Sequence, residues 1–242
     1  MESAIVAGVG ALEGVGAAAS RRFAREGLHV FVAGRTLTKL EAVAKQIEAD
    51  GGVATPVVTD CTLPADVTGL FDRVEADASA PPKLVVYNAG NNFPKDLLEM
   101  TPDEFEASWR VCGFGAFLAG QEAARRMPAN DGGTLIFTGA TASMRSRPPF
   151  IAFASAKAAE RAVAHGLARQ FGAQGLHVAH LIIDGVILGD QVKSRFPGAV
   201  EHLGEDGMLS TDAIADAMWM LHGQDRTTWT LELDLRPYKE TF

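Results

Sequence analysis

The sequence predicts an α/β fold: one domain over residues 1–242, built on a doubly wound parallel sheet of about seven strands with helices on both faces. Three observations lead there. Apolar runs of strand length alternate with segments of helical period along the whole chain. The first run passes through a glycine turn directly into a helix. No repeat, low-complexity tract or linker breaks the alternation. With 47% hydrophobic and 21% charged residues in 242, the chain has the means to bury a substantial core.

Ala4 to Val9 reads as the first strand and Ala17 to Arg25 as the first helix, with Gly27 as its C-terminal stop. Leu28 to Ala33 is a second strand. Leu40, Val43, Ala44 and Ile47 recur at helical spacing, and Gly51-Gly52 end that helix. Val53 to Thr59 is a strand that Pro56 assigns to a sheet edge, where a missing N–H is tolerated. A helix over Ala65 to Ala78 and a short buried strand over Leu84 to Tyr87 follow. Thr101-Pro102-Asp103-Glu104 combines an N-cap, a proline at the first helical position and a capping-box glutamate, and so opens a long helix running to about Met127. Beyond it come a strand (Gly133 to Thr138), a helix (Ile151 to Phe171), a strand (Leu176 to Ile183), a helix (Thr211 to Leu221) and a last strand (Trp229 to Leu235).

Composition excludes several function classes. A net charge of −8 argues against a general nucleic-acid surface or an anionic membrane surface. No long uncharged apolar run suggests a membrane span. The N-terminal apolar run lacks a basic segment and leads to Glu13, so it reads as strand and turn rather than as a signal peptide. The two cysteines, Cys61 and Cys112, form no C-x-x-C or Cys/His cluster, so no metal site is expected, and a reducing, cytoplasmic compartment is.

In a doubly wound sheet ligands bind beyond the carboxyl ends of the strands, so the turns that follow the strands carry the functional signal. The first reads Gly10-Ala-Leu12-Glu13-Gly14-Val15-Gly16. Glycines there allow a tight turn and let backbone N–H groups approach a pyrophosphate. The helix start behind them adds about half a positive charge. Such a turn alone also fits a Gly/Ala-rich structural βα corner. After the second strand comes Gly34-Arg35. An NAD site usually places an acid there for the ribose 2′-hydroxyl, and the basic Arg35 suits a 2′-phosphate, so NADP(H) is favoured over NAD(H). After the third strand, Asp60 and its neighbour Cys61 lie where the adenine would rest; Asp60 could bond the adenine amine or cap the next helix. Asn88-Ala89-Gly90 follows the fourth strand, and Lys157 lies within a later helix.

These motifs in this order resemble the short-chain dehydrogenases/reductases, over nearly the whole chain from Ala4 to about Leu235. The resemblance implies a Rossmann-like fold, a nicotinamide cofactor, a small-molecule substrate, and homodimers or homotetramers assembled partly through the two long helices. It also implies that Asn88-Ala89-Gly90 lies beside the cofactor and that Lys157 bonds the nicotinamide ribose hydroxyls. The family's active residues are Asn, Ser, Tyr and Lys, the last two spaced Y-x-x-x-K on one helix face. Here that motif reads Phe153-Ala-Ser-Ala-Lys157. Ala140 stands at the family's serine and Cys112 at its asparagine. Lysine beside tyrosine lowers a phenol pKa from about 10, and losing such a general acid costs roughly 10²–10⁴ in rate. The usual proton relay is therefore expected to be absent.

Candidates to stand in for it are few. Thr138 and Thr141 flank Ala140 and could bond a substrate or simply end their strand. Asp184-Gly185, where the family has Pro-Gly beside the nicotinamide, could supply an acid/base carboxyl or form a turn. Cys112 reads mainly as a small buried residue, Ser155 as structural, and His180 as a satisfied strand histidine. Arg145 and Arg147 could clamp an anion or face solvent. Phe93, Phe150 and Phe153 could line a pocket or belong to the core. Residues 189–209 are the expected substrate lid, and 236–242 a possible subunit contact. The function expected is hydride transfer by an NADP(H)-dependent oxidoreductase with an altered active site. The alternative is an NADP(H)-binding sensor or partner subunit without catalysis.

Overall fold

The computed structural model describes residues 1–195, 197–204 and 206–240. Seven parallel strands form one sheet. They are β1 (Ser3–Ala7), β2 (His29–Gly34), β3 (Val53–Val58), β4 (Leu84–Tyr87), β5 (Gly133–Ala140), β6 (Leu176–Ile183) and, past a separate two-stranded pair β7 (Ile187–Leu188) and β8 (Leu209–Ser210), β9 (Glu232–Leu235). The spatial order is β3-β2-β1-β4-β5-β6-β9. The winding direction therefore reverses between β1 and β4, whose ends are aligned by the pairing of Ala7 with Tyr87.

Helices cover both faces, as an all-parallel sheet requires. One face packs α1 (Val15–Arg25) and α2 (Leu37–Ala49) against Ala4, Val6, Val30 and Val32. The other packs α3 (Pro64–Ala78) and the long helix made of α4 (Pro102–Trp109), a π-helical turn (Arg110–Phe114) and α5 (Gly115–Arg126). It also holds α6 (Ile151–Phe171), over Ile5, Phe31, Val85, Tyr87 and Phe137. The last turns of the chain add α7 (Asp190–Arg195), α8 (Pro197–Leu203) and α9 (Thr211–His222), the last of these joining α1 on the first face.

β4, α6 and β6 have the bounds that periodicity predicts, and β3 with its Pro56 is an edge strand. The first strand stops two residues early because Gly8 turns the chain at φ +89°; its N–H and that of Val9 both donate to the Ala33 carbonyl, 2.9 Å away. The predicted continuous helix to Met127 is broken by the π turn. There the Tyr87 hydroxyl reaches up from β4 to donate to the Val111 carbonyl, and a carbonyl released from the α-helical ladder gains a partner. Four strand-final positions (Ala7, Gly34, Tyr87 and Ala140) thus face the same edge of the sheet, and the site lies there.

Candidate active site

The glycine turn between β1 and α1 has the shape of a phosphate cradle. Gly14 caps α1 without a side chain to bond the first N–H groups, and no acid sits in the helix's first turn. A Cβ on Gly10 would meet nothing within 4 Å, so that flank of the turn is open. Gly16 is closed from beneath: a Cβ there would lie 3.0 Å from Asn88 Nδ2. Asn88 itself donates from Nδ2 to the Gly8 carbonyl (3.1 Å) and from its backbone to the Ala7 carbonyl (2.8 Å). The asparagine turn therefore locks the two strands at the point where the winding reverses. Leu12 and Glu13 are exposed on the turn, Val15 is buried at the start of α1, and beside Asn88 lie half-buried Ala89 and exposed Gly90. Gly8 belongs to this cradle too: any Cβ would lie 2.4 Å from the Ala89 nitrogen. Its signal was a fourth glycine two residues before the motif. The open flank and unbonded helix start fit a dinucleotide.

Arg35 is exposed just past β2. Gly34 cannot carry an acid, since a Cβ would lie 2.5 Å from the Val9 carbonyl oxygen. Asp60 accepts from Thr62 N (2.9 Å) and Thr62 Oγ1 (2.8 Å) at its Oδ1. The Thr62 backbone bond, more than the nearby charge of Arg35, holds its carboxyl below the usual range. These bonds close a local turn onto Thr62 and do not cap α3, whose N-cap is Leu63 with no side-chain bond. The neighbouring Cys61 is buried, and burial pushes its thiol up to about 12.

The described part of residues 189–209 rests on the glycine turn. The Asp190 carboxylate accepts from Glu13 N (3.0 Å), and Lys193 Nζ donates to Glu13 Oε2 (2.6 Å). Phe196 and Glu205 of that segment, and Thr241 and Phe242 of the expected subunit contact, lie outside the described residues.

The reaction end is organised by α6. Phe153, Lys157 and Glu160 follow one another at i, i+4 and i+7 and share a helix face. Lys157 is 4% exposed. Its Nζ donates to the Thr138 carbonyl (2.6 Å) and to both Glu160 oxygens (3.0 and 2.9 Å), and lies 5.9 Å from the Phe153 ring centre. Glu160 is fully buried, and burial pushes its carboxyl up to about 7 against the pull of Lys157. Glu160 is the residue that sequence reasoning missed. The available signal was an acid placed three residues after the lysine, on a face otherwise lined by alanine.

Thr138 contributes its carbonyl, not its hydroxyl, which donates to the Tyr87 carbonyl at 3.2 Å. Thr141 Oγ1 donates to Asp184 Oδ1 (2.5 Å), and Arg145 Nη2 lies 3.0 Å from Asp184 Oδ2, with Arg236 Nη2 at 3.4 Å. Asp184 is thus a buried carboxylate held by a hydroxyl and two guanidinium groups, at the end of β6 beside Ala140. Arg145 is tied to this cluster, and Arg147 is exposed. Gly185 packs against Pro237, which leaves no room for a Cβ. Ala140 offers only its N–H, donated to Ser143 Oγ (3.0 Å). Cys112 is fully buried in the π turn, 3.7 Å from Asn91 Oδ1, with its thiol pushed up by burial. Ser155 bonds the Ala152 carbonyl of its own helix (3.0 Å), a structural role.

His180 corrects one expectation. Its Nδ1 pairs with Glu232 Oε1 (3.1 Å), but Nε2 finds no hydrogen-bond partner among the described residues and packs on Gly139. Burial holds the imidazole neutral, with its pKa lowered to about 4.

Comparison with known proteins defines the class. The family model described as short chain dehydrogenase matches residues 4–197. The chain belongs to the short-chain dehydrogenase family of NAD(P)-dependent oxidoreductases. It is similar to a short-chain dehydrogenase structure from Rhodopseudomonas palustris, with 34% identity, a TM-score of 0.82, and 98% of this chain and 99% of that one covered. It is 34% identical over 186 residues to the oxidoreductase YuxG of Bacillus subtilis, covering 76% of this chain but 27% of that longer protein. An oxidoreductase of Caenorhabditis elegans is 30% identical over 239 residues, covering 91% of this chain and 75% of its own length. Among the described residues, no helix is long and apolar enough to cross a membrane.

Proposed function

We propose that this chain is an NADP(H)-dependent oxidoreductase that transfers hydride to or from a small molecule without a tyrosine acid. The observation that carries the reading is the pairing of an open glycine cradle with a reaction face on which Phe153 and Ala140 replace the two hydroxyl residues. When bound, the nicotinamide supplies the hydride. Gly10, Leu12, Glu13, Gly14, Val15 and Gly16 would hold its pyrophosphate, Asp60 and Cys61 would flank its adenine, and Asn88, Ala89 and Gly90 would lie along its length.

Arg35 beside a Gly34 that cannot carry an acid supports the 2′-phosphate form. Lys157, Asp184 and Gly185 would face the nicotinamide end, with Lys157 paired to Glu160 and Asp184 to Arg145. Phenylalanine has no proton to exchange, so the substrate is one that needs none from position 153: an activated C=C, an iminium ion, or a carbonyl protonated through water, since the Asp184 carboxylate is already held by Thr141, Arg145 and Arg236. Exposed Phe105, Trp109 and Phe117 on the α4–α5 helix support assembly into a homodimer or homotetramer. Two free buried cysteines fit a reducing, cytoplasmic setting.

The test is a fluorescence titration with NADPH and NADH in parallel, followed by turnover on enone, imine and carbonyl panels. Micromolar NADPH binding, weaker NADH binding and coupled cofactor oxidation are expected. Absence of binding to either would overturn the oxidoreductase reading. Binding without turnover on any panel would leave a sensor.

A further inference from the structure

The geometry points to Glu160 as a positioning residue that cancels the charge of Lys157, so that this lysine no longer acidifies a hydroxyl at position 153. It deepens the reading above, since it rests on residues 153–157 forming the reaction face.

Three facts carry it. The ammonium of Lys157 has three protons, and Thr138 and the two Glu160 oxygens offer three acceptors, all within 3.0 Å. Glu160 is fully buried, and the only bonds its carboxylate makes among the described residues are to Lys157. A carboxylate in that position is stable only when paired. Finally, the other ionisable groups around the pair are neutral: burial raises the Cys112 thiol and the Tyr87 phenol, and lowers His180. The charged Arg161 is itself balanced by Glu232, at 2.6 Å. The pair therefore stands as an isolated, net-neutral dipole under the Phe153 ring.

The consequence is chemical. An uncompensated ammonium within 6 Å of a phenol would favour the phenolate. With Glu160 bonded to both remaining protons, that field is largely quenched, and Phe153 and Glu160 suit one another: a ring with no proton to give beside a lysine with little net field. The face beneath the substrate becomes apolar and neutral instead of proton-donating.

A phenol placed at position 153 reads the field directly and needs neither cofactor nor substrate. The ultraviolet titration of Phe153→Tyr is compared with that of Phe153→Tyr/Glu160→Gln, each as a difference against its Phe153 parent so that Tyr87 and Tyr238 cancel. Both are measured at alkaline pH, where Glu160 is ionised. Charge cancellation predicts a midpoint about one unit lower when Glu160 is neutralised, a tenfold change in ionisation constant. In a Lys157→Met background the same Gln substitution should lower the midpoint less, since without the ammonium the buried carboxyl stays largely protonated and carries little charge for Gln to remove. Equal midpoints with and without Glu160 overturn the inference.

Should the single substitution unfold the chain, the pair is removed together as Lys157→Met/Glu160→Leu. The phenol midpoint of Phe153→Tyr/Lys157→Met/Glu160→Leu is then compared with that of Phe153→Tyr: a net-neutral pair predicts midpoints that agree within about 0.3 unit, and a midpoint raised by about a unit or more, the mark of a lost ammonium field, overturns the inference. None of these readouts involves NADPH, so a failure here leaves the hydride-transfer reading standing, and a failure of NADPH binding leaves the charge coupling standing.

Discussion

The two ends of the cleft are built from different materials. At the candidate dinucleotide end, between β1 and β4, the fit is made almost wholly of backbone. Gly8 presses on Ala89, Asn88 ties two strands, and the start of α1 is left bare. At the candidate reaction end, between β5 and α6, the fit is made of charge: Lys157 with Glu160, and Asp184 with Thr141 and Arg145. Backbone fits tolerate almost no substitution because a Cβ has nowhere to go. Charge fits tolerate coordinated substitution, because a group can be lost when its partner changes with it. The first end can therefore vary little, and the second can vary in concert.

The largest effect that should sharpen this comparison is Gly8→Val. A β-branched residue at φ +89°, with its Cβ 2.4 Å from a backbone nitrogen, requires β1 and β4 to separate. We expect destabilisation above about 4 kcal/mol, read as loss of a cooperative melt by circular dichroism. Gly10→Ala is the matched control in the same turn. Nothing lies within 4 Å of its Cβ, so the melt should be unchanged while NADPH binding weakens at least about tenfold, because the methyl takes ligand space. A Gly10→Ala variant that melts early would break the claim that this flank is open.

Next in size is the charged end. Lys157→Met should cost about 3–5 kcal/mol in chemical denaturation, because it strands the Glu160 carboxylate in the interior. Lys157→Met/Glu160→Leu should recover most of that, as removing a buried pair whole often does. A double variant no more stable than the single one would show that the site cannot be rebuilt in concert.

A pH series separates two buried networks within this end. The folded-state pKa of Glu160 is raised from 4.5 to about 7, so the folded chain holds its proton longer than the unfolded one. Stability therefore falls as pH rises through that window. Glu232 behaves oppositely. Hydrogen bonds from Arg161 and, less strongly, His165 hold its carboxyl down at about 2, so its contribution is full above 4.5 and is lost as pH falls toward 2. Neutral His180, held near 4, adds to the acid side, since it is uncharged in the fold and its contribution is lost below 6.5. Shifts of a few degrees in Tm are expected. Glu160→Gln should flatten the limb above pH 4.5, and Glu232→Gln the acid limb. Identical limbs in the variants would refute the assignment.

Much of this contrast was legible before the fold was known, and what was not has a physical reason. β4, α6 and β6 were set by apolar runs with clear breakers on both sides. The β1–α1 turn was legible because glycines recur directly between an apolar run and a helical period. The π turn was not, since Trp109 to Phe117 keeps an amphipathic pattern and the cause is a hydroxyl arriving from Tyr87, distant in sequence. The strands β7 and β8, two residues each, are too short to show a period. Glu160 was missed because a charged residue on a helix ordinarily faces water, and its burial follows only from the lysine one turn away. The roles of Thr138 and Asp184 needed the register of β5 against β6 to show which atoms were already taken.

The smallest effect tests the backbone end where it does carry a charge. Arg35 is exposed and makes no contribution to the core, so Arg35→Ala should leave the melt within about 0.5 kcal/mol of wild type. A guanidinium on a phosphate is a charge-assisted contact, so NADPH affinity should fall about ten- to a hundredfold while NADH affinity stays level. On the NADP(H) reading, NAD use would need an acid at the end of β2. Gly34 cannot supply it, because any side chain there meets the Val9 carbonyl. Arg35→Asp should therefore lose NADPH without gaining NADH. If it gains NADH binding instead, position 35, and not 34, lies against the ribose 2′-hydroxyl, and the preference is set by that one side chain alone.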